Sequence, residues 1–99
     1  MNESELDLSS RVKIPSHVVY REFPAETVIL NLETGQYHGL NPTGGAILAS
    51  LARTPTLQET VTAVAKQYGQ SVTDVERDVR AFCGDLLRRG LIRLDPASG

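Results

Sequence analysis

The chain has 99 residues, with ten Lys and Arg against twelve Asp and Glu, for a formal charge of −2. That length favours one domain with a modest core, and the near-balance of charge argues against a dedicated phosphate-backbone binder, which carries a net basic face. The lone cysteine, Cys83, excludes an intramolecular disulfide and a cysteine-based zinc site.

The N-terminal "MNESELDLSS" is acidic and polar, unlike the basic start and apolar centre of a signal peptide. No apolar run approaches the roughly 18 residues of a membrane span, and the single cysteine makes a reducing cytoplasm the expected setting. Residues 1–11 lack periodicity and read as a flexible polar tail. The folded domain is expected over 12–94, with 95–99 as a disordered polar tail. "RVKIPSHVVYREF" (Arg11 to Phe23) has β-branched character interrupted by Pro15, which marks an edge or broken strand. "ETVILNLETG" then alternates Val28, Leu30 and Leu32 against Thr27, Ile29, Asn31 and Glu33, a period-two strand whose first set forms the apolar face. Gly35 supplies turn chemistry, and "QYHGL" is a short return strand that completes a hairpin.

Asn41 is placed to cap a helix that begins at Pro42 and buries Ile47, Leu48 and Leu51 up to about Ala52. Thr56 opens a second helix with Glu59 in capping-box position; Leu57, Val61, Val64, Ala65 and Tyr68 follow helical spacing, and Gly69 ends it. Ser71 or Thr73 starts the third helix, where Val72, Val75, Val79, Phe82 and Leu86 recur at three- and four-residue steps, widened by Cys83 and Leu87. Gly90 stops it, and "LIRL" is a terminal strand-like segment. The pattern predicts an α+β, winged helix-turn-helix-like domain: a three-stranded antiparallel N-terminal sheet followed by a three-helix bundle.

No catalytic constellation accompanies this pattern. His17 and His38 lie on different strands without the convergent partners a metal needs. Cys83 falls in an apolar stripe, where a thiol is inert. The glycines of "TGQYHGLNPTGG" match neither dinucleotide nor Walker spacing. Gly44 and Gly45, in a first helical turn, suggest close approach of another backbone. The reading is therefore a non-enzyme without cofactor or metal.

Two binding modes fit the pattern. The third helix could enter a DNA major groove with Arg77, Arg80, Arg88 and Arg89, but Asp74, Glu76, Asp78 and Asp85 would face the same phosphates. Their spacing, Glu76 with Arg80 for example, suits a solvated helix with i,i+4 pairs. Alternatively the return strand, as a sheet edge, could pair with an extended peptide whose side chains sink against the third helix.

The segments "VILNLETGQYHGLNPTGGAILASL", "TLQETVTAVAKQYG" and "DVERDVRAFCGDLLRRGLI" together resemble the PqqD-like family of RiPP recognition elements. Val28–Leu32 matches its apolar strand, Glu33–Gly35 its acidic-Thr-Gly turn, Tyr37–Asn41 its Y-x-x-L-N return, and Phe82–Ile92 its F-x-x-x-L-x-x-x-G-L-[IV] ending. "AILASL" departs from the family in lacking an aromatic near Ile47 and Leu48. The resemblance implies a three-stranded sheet with three helices that binds the leader of a ribosomally made precursor peptide as an added strand. It implies delivery of the peptide to maturation enzymes. A free-standing chain of this kind looks most like those of lasso-peptide pathways, whose partners are a leader peptidase and a cyclase. The alternative is a peptide chaperone of pyrroloquinoline quinone biosynthesis, partnered by a radical SAM enzyme. Carried onto this sequence, the binding strand would be Gln36, Tyr37, His38, Gly39 and Leu40. The groove would be lined from among Asp78, Val79, Ala81, Phe82 and Asp85. Val79 and Phe82 serve equally well as core, and Asp78 and Asp85 as solvated surface. No nucleic-acid or membrane partner is expected.

Overall fold

The computed structural model describes residues 6–54 and 56–95. Strands β1 (Arg11–Lys13), β2 (Val18–Glu22), β3 (Thr27–Asn31) and β4 (Tyr37–Leu40) precede helices α1 (Pro42–Arg53), α2 (Leu57–Tyr68) and α3 (Val72–Arg88), and β5 (Arg93–Asp95) follows. β2, β3 and β4 form an antiparallel sheet in that order, so the expected α+β architecture is present. A separate antiparallel ribbon joins β1 to β5. Pro15 divides the first β-rich segment into β1 and β2, which belong to different sheets.

Local chemistry sets most boundaries. Asn41 Oδ1 accepts from Gly44 N–H at 2.8 Å, Thr56 Oγ1 from Glu59 N–H at 3.2 Å, and Ser71 Oγ from Asp74 N–H at 3.2 Å. Each satisfies a first-turn donor that has no partner within its helix. Gly69 (φ +63°) closes α2 in the left-handed region, and Gly35 (φ +74°) turns the chain between β3 and β4. Ile47, Leu48 and Leu51 of α1, Leu57, Val61 and Val64 of α2, and Val75, Val79, Cys83 and Leu86 of α3 are buried together with Ile29 and Val18 of the sheet. Tyr68 and Val72, which follow the same spacing, remain about half exposed at the α2–α3 corner.

Two expectations need correction. The sheet buries Thr27 and Ile29 of β3, whereas Val28 and Leu30 are half-buried and Leu32 is exposed on the opposite face. Both parities of this strand carry apolar residues, and packing against α1 selects the phase. Gly45 lies so close to Thr27 that a Cβ there would meet its Oγ1 at 2.5 Å. The glycine thus permits close approach, of a side chain rather than another backbone.

The packed chain also extends beyond 12–94. Leu6 and Ser10 are buried, and Leu8 packs against the core. The carbonyls of Leu8 and Ser10 accept from Gln58 N–H at 2.8 Å and Leu57 N–H at 3.1 Å, so this segment caps the start of α2. The Leu6 carbonyl accepts from Arg80 Nη1. Asp95, assigned by sequence to the C-terminal tail, pairs with Arg11 across the ribbon. The rest of the two expected tails, 1–5 and 96–99, lies outside the described residues.

Candidate functional site

β3 has neighbours on both sides, and its backbone alternates between them. Leu32 N–H donates to the His17 carbonyl at 2.7 Å, and Asn31 N–H to the Gln36 carbonyl at 2.9 Å. With the observed register, odd-numbered residues of β3 bond towards β4 and even-numbered ones towards β2. On β4, Gln36, His38 and Leu40 therefore direct their backbone groups to β3. Tyr37 and Gly39 direct theirs to the open edge.

Side chains alternate in the other sense. His38 and Leu40 share the inward face with Ile29 and Thr27 and are half-buried. Tyr37, 74% exposed, stands on the outer face beside Leu30, Val28 and Val19. That outer face holds a shallow hollow of about 280 Å³ lined by Val19, Tyr20, Arg21, Phe23, Val28 and Leu30. A second concavity, of about 330 Å³, lies between the β2–β3 turn and α1 and is lined mainly by polar groups.

α3 walls the inward side of the β4 edge. Phe82 Cε1 and Leu40 Cβ lie 3.2 and 3.5 Å from the position a Gly44 Cβ would take, which brings Phe82 to the Leu40 end. At the other end, Arg89 Nη1 donates to His38 Nδ1 at 3.0 Å. α3 and β4 thus run in opposite directions, with a groove of about 180 Å³ between them lined by His38, Gly39, Leu40, Asp85, Leu86, Arg89 and Leu91. Asp85 Oδ2 pairs with Arg89 Nε at 3.1 Å and Oδ1 lies 3.8 Å from Arg88 Nη2.

Among the sequence-chosen residues, the fold brings His38, Gly39, Leu40 and Asp85 together around this groove, with Phe82 at its end. Gln36 and Tyr37 continue the strand edge and are exposed. Ala81 and Asp78 are exposed on successive turns of α3, the same helical face as Asp85. Val79 is 0% exposed and supports α3 from the core, so its side chain does not line the groove. Sequence reasoning missed Leu86, Leu91 and Arg89. The available signal for Arg89 was its i,i+4 spacing from Asp85.

His17 lies 3.8 Å from Glu33, remote from His38 in the register. Cys83 is buried on α3, and burial pushes its thiol up to about 12. No helix among the described residues is long and apolar enough to cross a membrane.

The family model described as "Coenzyme PQQ synthesis protein D (PqqD)" matches residues 26–92, from β3 through α3. The chain belongs to the PqqD family. Among solved structures, this PqqD-family chain is similar to one described as TbiB1 in complex with the TbiA(beta) leader peptide. The identity is 34%, over 82% of this chain and 94% of that one, with a TM-score of 0.75. It is also similar in fold to a lasso peptide synthetase B1 complexed with the leader peptide. There the identity is 22%, the coverage 84% and 98%, and the TM-score 0.74. No curated protein matches.

Proposed function

We propose that this PqqD-family chain is a non-catalytic recognition protein that binds the leader region of a lasso-type precursor peptide by strand addition along β4. It then delivers the bound peptide to a leader peptidase and a cyclase. The observation that carries this reading is the β4 edge itself: Tyr37 and Gly39 offer backbone groups to a guest, and α3 stands alongside to receive alternate side chains. The similarity to a chain solved with a leader peptide supports it. Backbone pairing supplies affinity, and the groove supplies selectivity. The family description favours a second reading, peptide chaperoning in pyrroloquinoline quinone synthesis, which uses the same edge.

Fluorescence-anisotropy titration tests the proposal, using the leader of the precursor encoded beside this chain's gene, the TbiA(beta) leader, and duplex DNA. Saturable, salt-tolerant binding of the encoded leader is expected. Salt-sensitive DNA binding without peptide affinity would overturn it. A neighbouring radical SAM gene in place of a peptidase and cyclase pair would decide for the second reading.

A further inference from the structure

We infer that the groove reads two guest side chains separated by one residue: an apolar one opposite Leu40 and an acidic one opposite His38, held by Arg89. This rests on the strand-addition reading above and adds a chemical preference to it. Residues on one face of paired strands sit opposite one another, so guest side chains facing the groove are those paired with Leu40 and His38. The spacing of those two positions passes directly to the guest as i and i+2.

The two ends differ chemically. At the Leu40 end the neighbour is Phe82, and the residue before it on α3, Ala81, is small and exposed. That surface suits an apolar side chain. At the His38 end the groove meets Asp85 and Arg89, and Asp85 is already engaged by Arg89 Nε at 3.1 Å and approached by Arg88 Nη2 at 3.8 Å. A basic guest residue would have to compete for an occupied carboxylate. Arg89 differs because a guanidinium carries five N–H donors. Its Nε meets Asp85 and its Nη1 meets His38, which fixes the plane of the group without using all its donors. Its side chain is 48% exposed and lines the groove. A planar, oriented guanidinium favours a carboxylate over a neutral side chain.

The order of the two side chains also reports the direction of the guest. A strand antiparallel to β4 meets Leu40 first and reads apolar-x-acidic from its N-terminus. A parallel strand reads acidic-x-apolar.

The test is selection from a positional-scanning library of synthetic dodecapeptides on the immobilised full chain, repeated with Arg89→Gln and Arg89→Glu. The wild-type protein should enrich Asp and Glu over Asn and Gln about fivefold at one position, two residues from an enriched aliphatic. Arg89→Gln should remove the acidic preference and keep the aliphatic one. Arg89→Glu, its fold checked by circular dichroism, should replace the preference with Lys and Arg. Enriched peptides with the aliphatic but no acidic preference, a basic preference in the wild type, or an acidic preference surviving both substitutions would overturn the subsite alone. Enrichment of no peptide would overturn strand addition together with it.

Discussion

The three-stranded sheet has two edges, and they are not equivalent. On β2 the outward backbone groups belong to Val18, Tyr20 and Glu22, and Val18 N–H is already taken by the Pro15 carbonyl at 3.0 Å. The hollow beside that strand is lined only by residues of β2, β3 and Phe23 at their turn. On β4 the outward groups are Tyr37 and Gly39, and the adjoining groove is completed by Asp85, Leu86, Arg89 and Leu91. Both edges offer hydrogen bonds to a visiting strand. α3 runs alongside the β4 edge, whereas at β2 a helix, α1, shares a concavity with the Glu22 end of the strand. The β4 edge is the better placed to sort visitors by their side chains.

The largest expected effect removes the support common to both edges. Gly45→Val would drive a side chain into Thr27, at the start of the central strand β3, from a helix that cannot recede without disturbing Ile47 and Leu48. Overpacking of this kind should cost about 3 kcal/mol, read as a lower urea midpoint with an unchanged m-value. Loss of leader affinity in this variant should follow the unfolded fraction and say nothing about which edge is used.

Proline separates the edges. Tyr37→Pro deletes an outward N–H on β4, leaving a guest carbonyl unpaired, and should weaken leader binding roughly thirtyfold, about 2 kcal/mol. Glu22→Pro deletes an outward N–H on β2 and should leave affinity unchanged. Equal losses in two folded variants, measured by anisotropy, would show that the β4 edge has no special status. His38 is the wrong position for this experiment, because its N–H points to β3; His38→Pro would damage the sheet itself.

This distinction also marks how far the amino-acid sequence could be read. The caps at Asn41, Thr56 and Ser71 and the glycine stops were legible because each is a contact within a few residues. The phase of β3 was not, since Ile29 on one face and Val28 and Leu30 on the other are equally apolar. Only Gly45 and α1 decide which face is inside. Leu6 was hidden in an acidic, aperiodic stretch, and its burial depends on the distant α2 and α3. The return strand stands at a sheet edge, with Asp85 and Phe82 near it. Arg89 reads in the sequence as part of a solvated helix, because its partner His38 is 51 residues away. Val79, ambiguous by spacing alone, lies wholly in the core.

A smaller effect concerns the helix that distinguishes β4. Cys83 anchors α3 from within, and burial holds its thiol at about 12 against an ordinary 9.0. Folding therefore favours the protonated thiol. This contribution is complete below pH 9 and is lost as pH rises from 9 towards 12, with about 1 kcal/mol gone by pH 10. Stability measured by urea titration at pH 8 and pH 10 should fall further in the native chain than in Cys83→Ala, which lacks the group. The native thiol should also resist a disulfide reagent at pH 8 until the chain unfolds. Parallel slopes in the two proteins would mean that α3 breathes enough to hydrate Cys83, and a wall that loose would sort side chains poorly.

The least effect is expected where the groove face of α3 runs out. Asp78 lies one turn before Phe82, beyond the Leu40 end, and is exposed. A carboxylate in that setting keeps its hydration, and its attraction for a guest cation is screened over about 8 Å at physiological salt. Asp78→Asn should change leader affinity by less than about twofold at that ionic strength, and the remaining difference should vanish as salt is raised. Asp85→Asn should behave differently, because Asp85 orients Arg89 from 3.1 Å and its loss frees the guanidinium to leave His38. Isothermal titration of the two variants against one leader peptide separates them. Equal effects would place recognition along the whole helix face, and a larger effect at Asp78 would move the selective end of the groove from His38 to Leu40.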